Sequence, residues 1–158
     1  QKNPLTDFVI ALTNFGVRPL RKFVPGLYGM DLSSLVFAWL LEIILLASLG
    51  LLDLEPISLA SAGGIFSIVL LALVRLIEIS LYMLIIAVFL QAIMSWVSPY
   101  NPLAAVIGAL TRPFLRPLQR RIPPVGNVDL TPLILFVVCQ LIIMLPLRWL
   151  EGLARSLA

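Results

Sequence analysis

Apolar residues gather in three long runs separated by polar, proline-marked stretches. The first run extends from Leu32 to Leu52 and holds one charge, Glu42. The second lies within Ile65–Val97, its uncharged part being Ile79–Val97. The third extends from Leu130 to Leu147, with Pro132 near its start and Pro146 near its end. Crossing a hydrocarbon core of about 30 Å takes about 20 helical residues, so each run predicts a membrane span. Proline in the first turn costs no hydrogen bond, and a kink near the end of a helix is cheap. The second run is too long for one upright crossing, since a helix over all of it would reach about 50 Å. Arg75 and Glu78, three apart and on one face, interrupt it and predict a structural ion pair near the outer interface. The favoured reading is an interfacial or re-entrant helix over Ile65–Leu76, then a span over Ile79–Val97. A single long tilted helix is the alternative.

Two surface segments, Gln1–Met30 and Ser98–Val128, hold eight of the eleven basic residues: Lys2, Arg18, Arg21, Lys22, Arg112, Arg116, Arg120 and Arg121. The connection Asp53–Gly64 has Asp53 and Glu55 and no basic residue. The positive-inside rule puts both basic segments in the cytoplasm and this connection outside. The C-terminus then falls outside, although Arg148 and Arg155 argue the other way. In the second segment Val106, Ile107, Leu110, Phe114, Leu115 and Leu118 are expected to face lipid, with Arg112, Arg116 and Arg120 on another face among anionic headgroups. Pro113 and Pro117 are expected to break this helix into short pieces.

A shift of 98 residues lays the chain on itself without a gap. Asn3-Pro4-Leu5 falls on Asn101-Pro102-Leu103, Ala11-Leu12-Thr13 on Ala109-Leu110-Thr111, and Arg18-Pro19-Leu20 on Arg116-Pro117-Leu118. Pro25 falls on Pro123, Asp31-Leu32 on Asp129-Leu130 and Leu35 on Leu133, making 13 identities over the 33 positions from 3 to 35. Asparagine, proline, arginine and aspartate recur as well as leucine, so hydrophobicity alone does not explain the match. Asn-Pro reads as a helix start, with Asn3 and Asn101 as caps and Pro4 and Pro102 in the first turn. Asp31 and Asp129 stand where the next helix begins, and there a carboxylate complements the helix dipole. Their joint recurrence with arginine predicts the pairs Arg18–Asp31 and Arg116–Asp129. The second copy is preceded by a span, so by analogy one is expected ahead of Gln1, giving four spans in the full-length protein.

Composition supports the bilayer as solvent: 61% of the 158 residues are hydrophobic and 12% charged, where a soluble domain carries about a quarter charged. A net charge of +3, confined to two segments, does not suggest nucleic acid. With no histidine and the single Cys139, neither a disulfide framework nor a His/Cys zinc site is expected. Cys139 reads as a small core residue, and Trp96 and Trp149 at span ends as interface anchors. The chain has no Gly-rich phosphate loop and no Gly-x-Ser-x-Gly, so neither an enzyme nor a cofactor is expected.

The second copy reads Ser95-Trp96, Asn101-Pro102, Leu110-Thr111-Arg112-Pro113, Arg116-Pro117-Leu118-Gln119-Arg120-Arg121-Ile122-Pro123 and Asp129-Leu130-Thr131-Pro132 in order. In these residues the chain resembles the YggT family, called YlmG in plastids and Gram-positive bacteria. The first copy departs at Asn14-Phe15, where Thr-x-Pro is expected, and has Ser34 in place of Pro132. The resemblance implies a small inner-membrane protein of about four spans, in a family tied to osmotic tolerance and potassium uptake, to division and nucleoid or plastid organisation, and to maturation of membrane complexes. It carries over no catalytic residue.

The expected fold is therefore an all-α membrane protein of two tandem repeats, each a basic amphipathic interfacial segment followed by a transmembrane helix. Residues 1–52 form the first repeat, 53–78 an extracytoplasmic loop with the interfacial or re-entrant helix, and 79–158 the second repeat. The expected function is a non-enzymatic scaffold or assembly factor of the bacterial inner membrane. Arg18, Arg21, Lys22, Arg112, Arg116, Arg120 and Arg121 would bind anionic lipid or a partner, and other membrane proteins or a second copy would join it. The alternative is an ion-handling or osmotic-stress component built on Glu42, which falls on Gln140 under the same shift. An ionisable group inside a span is a functional candidate, and inter-helix hydrogen bonding is its structural alternative.

Overall fold

The computed structural model describes residues 4–21, 31–55, 57, 59, 61–97, 102–122 and 129–158. These residues are helical, with no strand among them. In order they form α1 (Pro4–Leu20), α2 (Leu32–Leu51), α3 (Ala62–Val97), α4 (Pro102–Arg121), α5 (Thr131–Ile142), a π-helical turn (Ile143–Leu147) and α6 (Arg148–Arg155). Three runs are long and apolar enough to cross a membrane: Leu32–Leu51, Ala62–Met94 and Thr131–Arg155. Many of their large apolar residues are exposed, among them Ile44, Leu45, Met83, Ile86, Leu133 and Met144. In water this would be prohibitive, and in lipid it is the ordinary outer face of a span.

Three expected breaks are absent. Ala62–Val97 is one helix of 36 residues, not an interfacial helix followed by a separate span. Arg75 does not need a break there, because its guanidinium reaches Glu55 at 2.6 Å and not Glu78. Pro113 and Pro117 lie inside a continuous α4. Each proline frees the carbonyl four residues back, and Ala109, Pro113 and Pro117 all stand on the exposed side of the helix. Pro146 lies within the third run, which is compatible with the helix as expected. Around it the helix widens to a π turn, in which Arg148 N–H bonds the Ile143 carbonyl five residues back, and the run continues to Arg155.

The chain divides into two compact units, Gln1–Leu76 with Ala154–Ala158, and Ile77–Leu153. In the first, Leu46, Ile57, Ile68, Leu71, Ala72 and Ala154 form a buried cluster with Trp39 against it. The Trp39 indole N–H donates to the Val69 carbonyl at 3.2 Å, tying α2 to α3. In the second, Ile85, Val88, Leu115, Leu135, Cys139 and Ile143 form the core, and Phe89 meets Phe136 edge to face. Cys139 is the core residue expected of it.

The connection after α2 is built from short-range bonds. Leu54 N–H bonds the Leu49 carbonyl at 2.9 Å and Asp53 N–H that of Gly50 at 3.2 Å, a Schellman cap with Asp53 in the left-handed region at φ 53°. Ser61 caps α3, its Oγ accepting from Gly64 N–H at 2.9 Å. Between these caps Glu55 accepts from Arg75 at 2.6 Å and from Arg155 at 3.0 Å. The Arg75 guanidinium foremost, and Arg155 with it, hold the Glu55 carboxyl below its usual range against the opposing effect of partial burial. At Gly63 an added methyl would stand 2.4 Å from the Leu157 carbonyl, so only glycine lets the C-terminal residues pass this close.

Two outcomes are expected in thermal unfolding of the detergent-solubilised protein. Asp53→Gly stabilises the chain by about 0.5–1 kcal/mol, because glycine takes the left-handed region without a Cβ penalty. The Glu55 carboxyl is held below its ordinary value, so the stability it contributes is complete above pH 4.5 and is lost as pH falls through the depressed value. Glu55→Gln costs about 1–3 kcal/mol at neutral pH and removes that part of the acid limb. A melting curve whose acid limb is unchanged in the variant would count against this role.

Candidate functional site

Each surface helix packs on the span that follows it, α1 on α2 and α4 on α5. The sequence dictates the packed faces. In α1, Val17 is buried and Gly16 lies under the Phe37 ring, where an added methyl would stand 2.2 Å from it. In α4, Leu115 is buried in the cluster with Leu135 and Cys139, and Thr111 is fully buried. The Thr111 hydroxyl lies within hydrogen-bond reach of the Gln91 side chain and of the Ile107 carbonyl, the latter at 2.9 Å, which ties α4 to α3 as well.

An aspartate closes each of these packings. Asp31 Oδ2 accepts from the Arg21 guanidinium at 2.5 Å and from the Ser34 hydroxyl at 2.9 Å, while its backbone carbonyl receives Ser34 N–H. Asp129 Oδ2 accepts from the Gln119 amide at 2.9 Å. Its Oδ1 accepts from Thr131 N–H at 2.9 Å and from the Thr131 hydroxyl at 2.6 Å, an Asx turn at the entrance to α5. The Arg21 and Ser34 bonds lower the Asp31 carboxyl from its ordinary value. At Asp129 partial desolvation raises the carboxyl, but the Thr131 and Gln119 bonds together outweigh it and leave it lowered.

The expected pairs Arg18–Asp31 and Arg116–Asp129 are thus replaced by Arg21–Asp31 and Gln119–Asp129. The reason is rotational. The buried Val17 and Leu115 set the face that meets the span, and position i+4 continues that face, whereas position i+1 turns roughly 100° away. Arg21 and Gln119 stand at i+4, and Arg18 and Arg116 at i+1. The two clamps join positions 98 apart, as do the buried pairs Val17 with Leu115 and Ser33 with Thr131.

α4 has three sides. Thr111, Leu115 and Leu118 face the protein, Val106, Leu110 and Phe114 form an exposed apolar side, and Arg112, Arg116 and Arg120 form an exposed basic side. The apolar stripe expected to face lipid therefore splits, with Ile107, Leu115 and Leu118 turned toward the protein. Among the described residues no acidic group pairs with Arg112, Arg116, Arg120 or Arg121. On α1, Arg18 is exposed and Arg21 is engaged by Asp31. Asn3, Lys22 and Asn101 lie outside the described residues, and Pro4 and Pro102 open α1 and α4.

Glu42 stands near the middle of α2 and Gln140 within α5, both half-buried. Trp149 is exposed in α6, and the side chain of Trp96 lies outside the described residues. Sequence reasoning missed the bridge from Glu55 to Arg75 and Arg155. Its signal was one acidic loop residue and two arginines, one inside the second apolar run and one beyond the third, but nothing local joins residues 100 positions apart.

Comparison with known proteins gives a consistent result. The family described as CCB3/YggT matches residues 2–52 and 70–150. An uncharacterized protein of Pseudomonas aeruginosa is 31% identical over 145 residues, 90% of this chain and 72% of that protein. One of Vibrio alginolyticus is 33% identical over 139 residues, 87% of this chain and 73% of the relative. The uncharacterized protein YggT of Escherichia coli K12 is 32% identical over 142 residues, 89% and 70% of the two chains. No solved structure matches.

Asp129 holds the entrance of α5 through the Asx turn and the Gln119 bond. Asp129→Ala is expected to lower the unfolding free energy by about 1–2 kcal/mol, the usual cost of losing such a cap. Asp129→Asn should fall between, since its amide oxygen still accepts from Thr131 N–H. Equal melting temperatures for the wild type and Asp129→Ala would refute the clamp.

Proposed function

The chain belongs to the CCB3/YggT family, and on that premise we propose that it is a non-enzymatic scaffold or assembly factor of the bacterial inner membrane. Its two tandem units each pin a basic surface helix against a span. The observation that carries this reading is α4, whose arginine side is exposed and, among the described residues, without acidic partners, while the helix packs on α5 and is bonded to α3. A surface that is rigidly presented and not neutralised internally is suited to bind anionic headgroups or an acidic face of another membrane protein. Arg18 and Lys22 are the corresponding basic residues of the first unit.

The positive-inside rule supports a cytoplasmic location for the arginines. The Glu55–Arg155 bond ties the C-terminal residues to the loop after α2. It favours putting the C-terminal residues on the same side as the 53–61 connection. A second reading rests on Glu42. No hydrogen bond or ion pair reaches this carboxylate from the described residues, and an unpaired carboxylate at mid-span is costly unless it takes a proton, an ion or a donor from elsewhere.

The two readings separate by substitution in the gently solubilised native complex and in cells that depend on the chain. Replacing Arg112, Arg116 and Arg120 with Gln is expected to strip bound lipid or partner from the complex and abolish function, while Glu42→Gln leaves both intact. The reverse pattern, with growth under osmotic upshift or potassium limitation lost only in Glu42→Gln, would establish ion handling and overturn the scaffold.

A further inference from the structure

The row on α4 has a spacing that selects among anionic headgroups. Arg112, Arg116 and Arg120 follow at intervals of four residues, about 6 Å apart along the helix axis. A guanidinium binds phosphate oxygens through a planar fork of donors. One phosphate between two neighbours in this row leaves the third without a ligand, and a second phosphate held close to the first completes it. Next to the row, Leu110 and Phe114 are exposed at 64% and 48% on an apolar side of the same helix. A soluble phosphate compound would use the arginines and leave that apolar side bare, whereas a lipid places a headgroup on one and acyl chains on the other.

The first unit keeps only part of this row, with Arg18 at the position of Arg116 and Lys22 at that of Arg120. At the positions 98 residues earlier, α1 has Asn14 in place of Arg112, and its Arg21 is engaged by Asp31. We propose that α4, and not α1, binds an anionic lipid carrying two phosphates on one short bridge, of the diphosphatidylglycerol type. Arg116 is shared between the phosphates, Arg112 and Arg120 take one each, and the chains descend beside Leu110 and Phe114. This rests on the anionic-surface reading above and narrows it to one headgroup class.

The test is native mass spectrometry of the whole chain in detergent, with phosphatidylcholine, phosphatidylglycerol or diphosphatidylglycerol added. Phosphatidylglycerol is supplied at twice the molar amount, so that phosphate is equal. The wild type is expected to retain diphosphatidylglycerol about tenfold more tightly, because the second phosphate binds at high effective concentration. Arg116→Gln, and also Arg116→Lys with the charge kept but the fork lost, should bring the ratio near unity. Arg148→Gln, a control on α6, should leave it unchanged. Equal retention of the two anionic lipids by the wild type would overturn the two-phosphate assignment and leave the general anionic surface standing. No preference for either over phosphatidylcholine would overturn both. Displacement of the lipid by an equal concentration of inorganic pyrophosphate would show that the row serves a soluble ligand, and would overturn the lipid assignment.

Discussion

A chain that turns from the membrane surface into hydrocarbon must satisfy two groups at once: the first backbone N–H donors of the span, which have no intrahelical acceptor, and any charge carried to that depth. Asp129 answers both, taking Thr131 N–H on one oxygen and the Gln119 amide on the other. Asp31 divides the work, its carbonyl taking Ser34 N–H and its carboxylate taking Arg21 and the Ser34 hydroxyl. Because the donor at 21 or 119 belongs to the surface helix, capping the span also fixes the rotation of that helix. The outward direction of Arg112, Arg116 and Arg120 follows from this, since Leu115 is turned in and Gln119 is held by Asp129. The basic surface is a consequence of how the span is closed.

Those aspartates were legible in the sequence because residue type and position recur together at a separation of 98. Their partners were not, because charge suggested arginine while geometry chose the helix face: Arg18 stands one position from the buried Val17 and Arg21 stands four. The three long apolar runs were also legible, since the length and hydrophobicity of a span are local properties. Helix continuity was not. Whether Pro113 breaks a helix depends on where the freed carbonyl lies. Whether Arg75 interrupts α3 depends on a carboxylate 20 residues away. Each is a fact about the surroundings, and a local pattern does not contain it.

Glu55 shows the same principle applied to charge. One carboxylate serves two guanidinium groups, so the cluster keeps a net positive charge while each cation is partly neutralised. The family match covers 70–150 and stops short of both Glu55 and Arg155 while including Arg75. The bridge thus joins a residue of the matched region to two that lie outside it.

The two clamps differ in one respect that shapes the rest of each surface. At position 21 the donor is a cation, and its charge is used up on Asp31. At 119 it is a neutral amide, with Thr131 supplying the remaining donors to Asp129. Residues 4 to 31 carry a net charge of +1, whereas residues 102 to 129 carry +3. A neutral donor at the clamp is what allows the second helix to be anchored without an arginine, so that each of its four arginines stays outward. The first unit, anchored by charge, is suited to holding its span. The second is anchored by hydrogen bonds between an amide, a hydroxyl and a carboxylate, which uses none of its arginines.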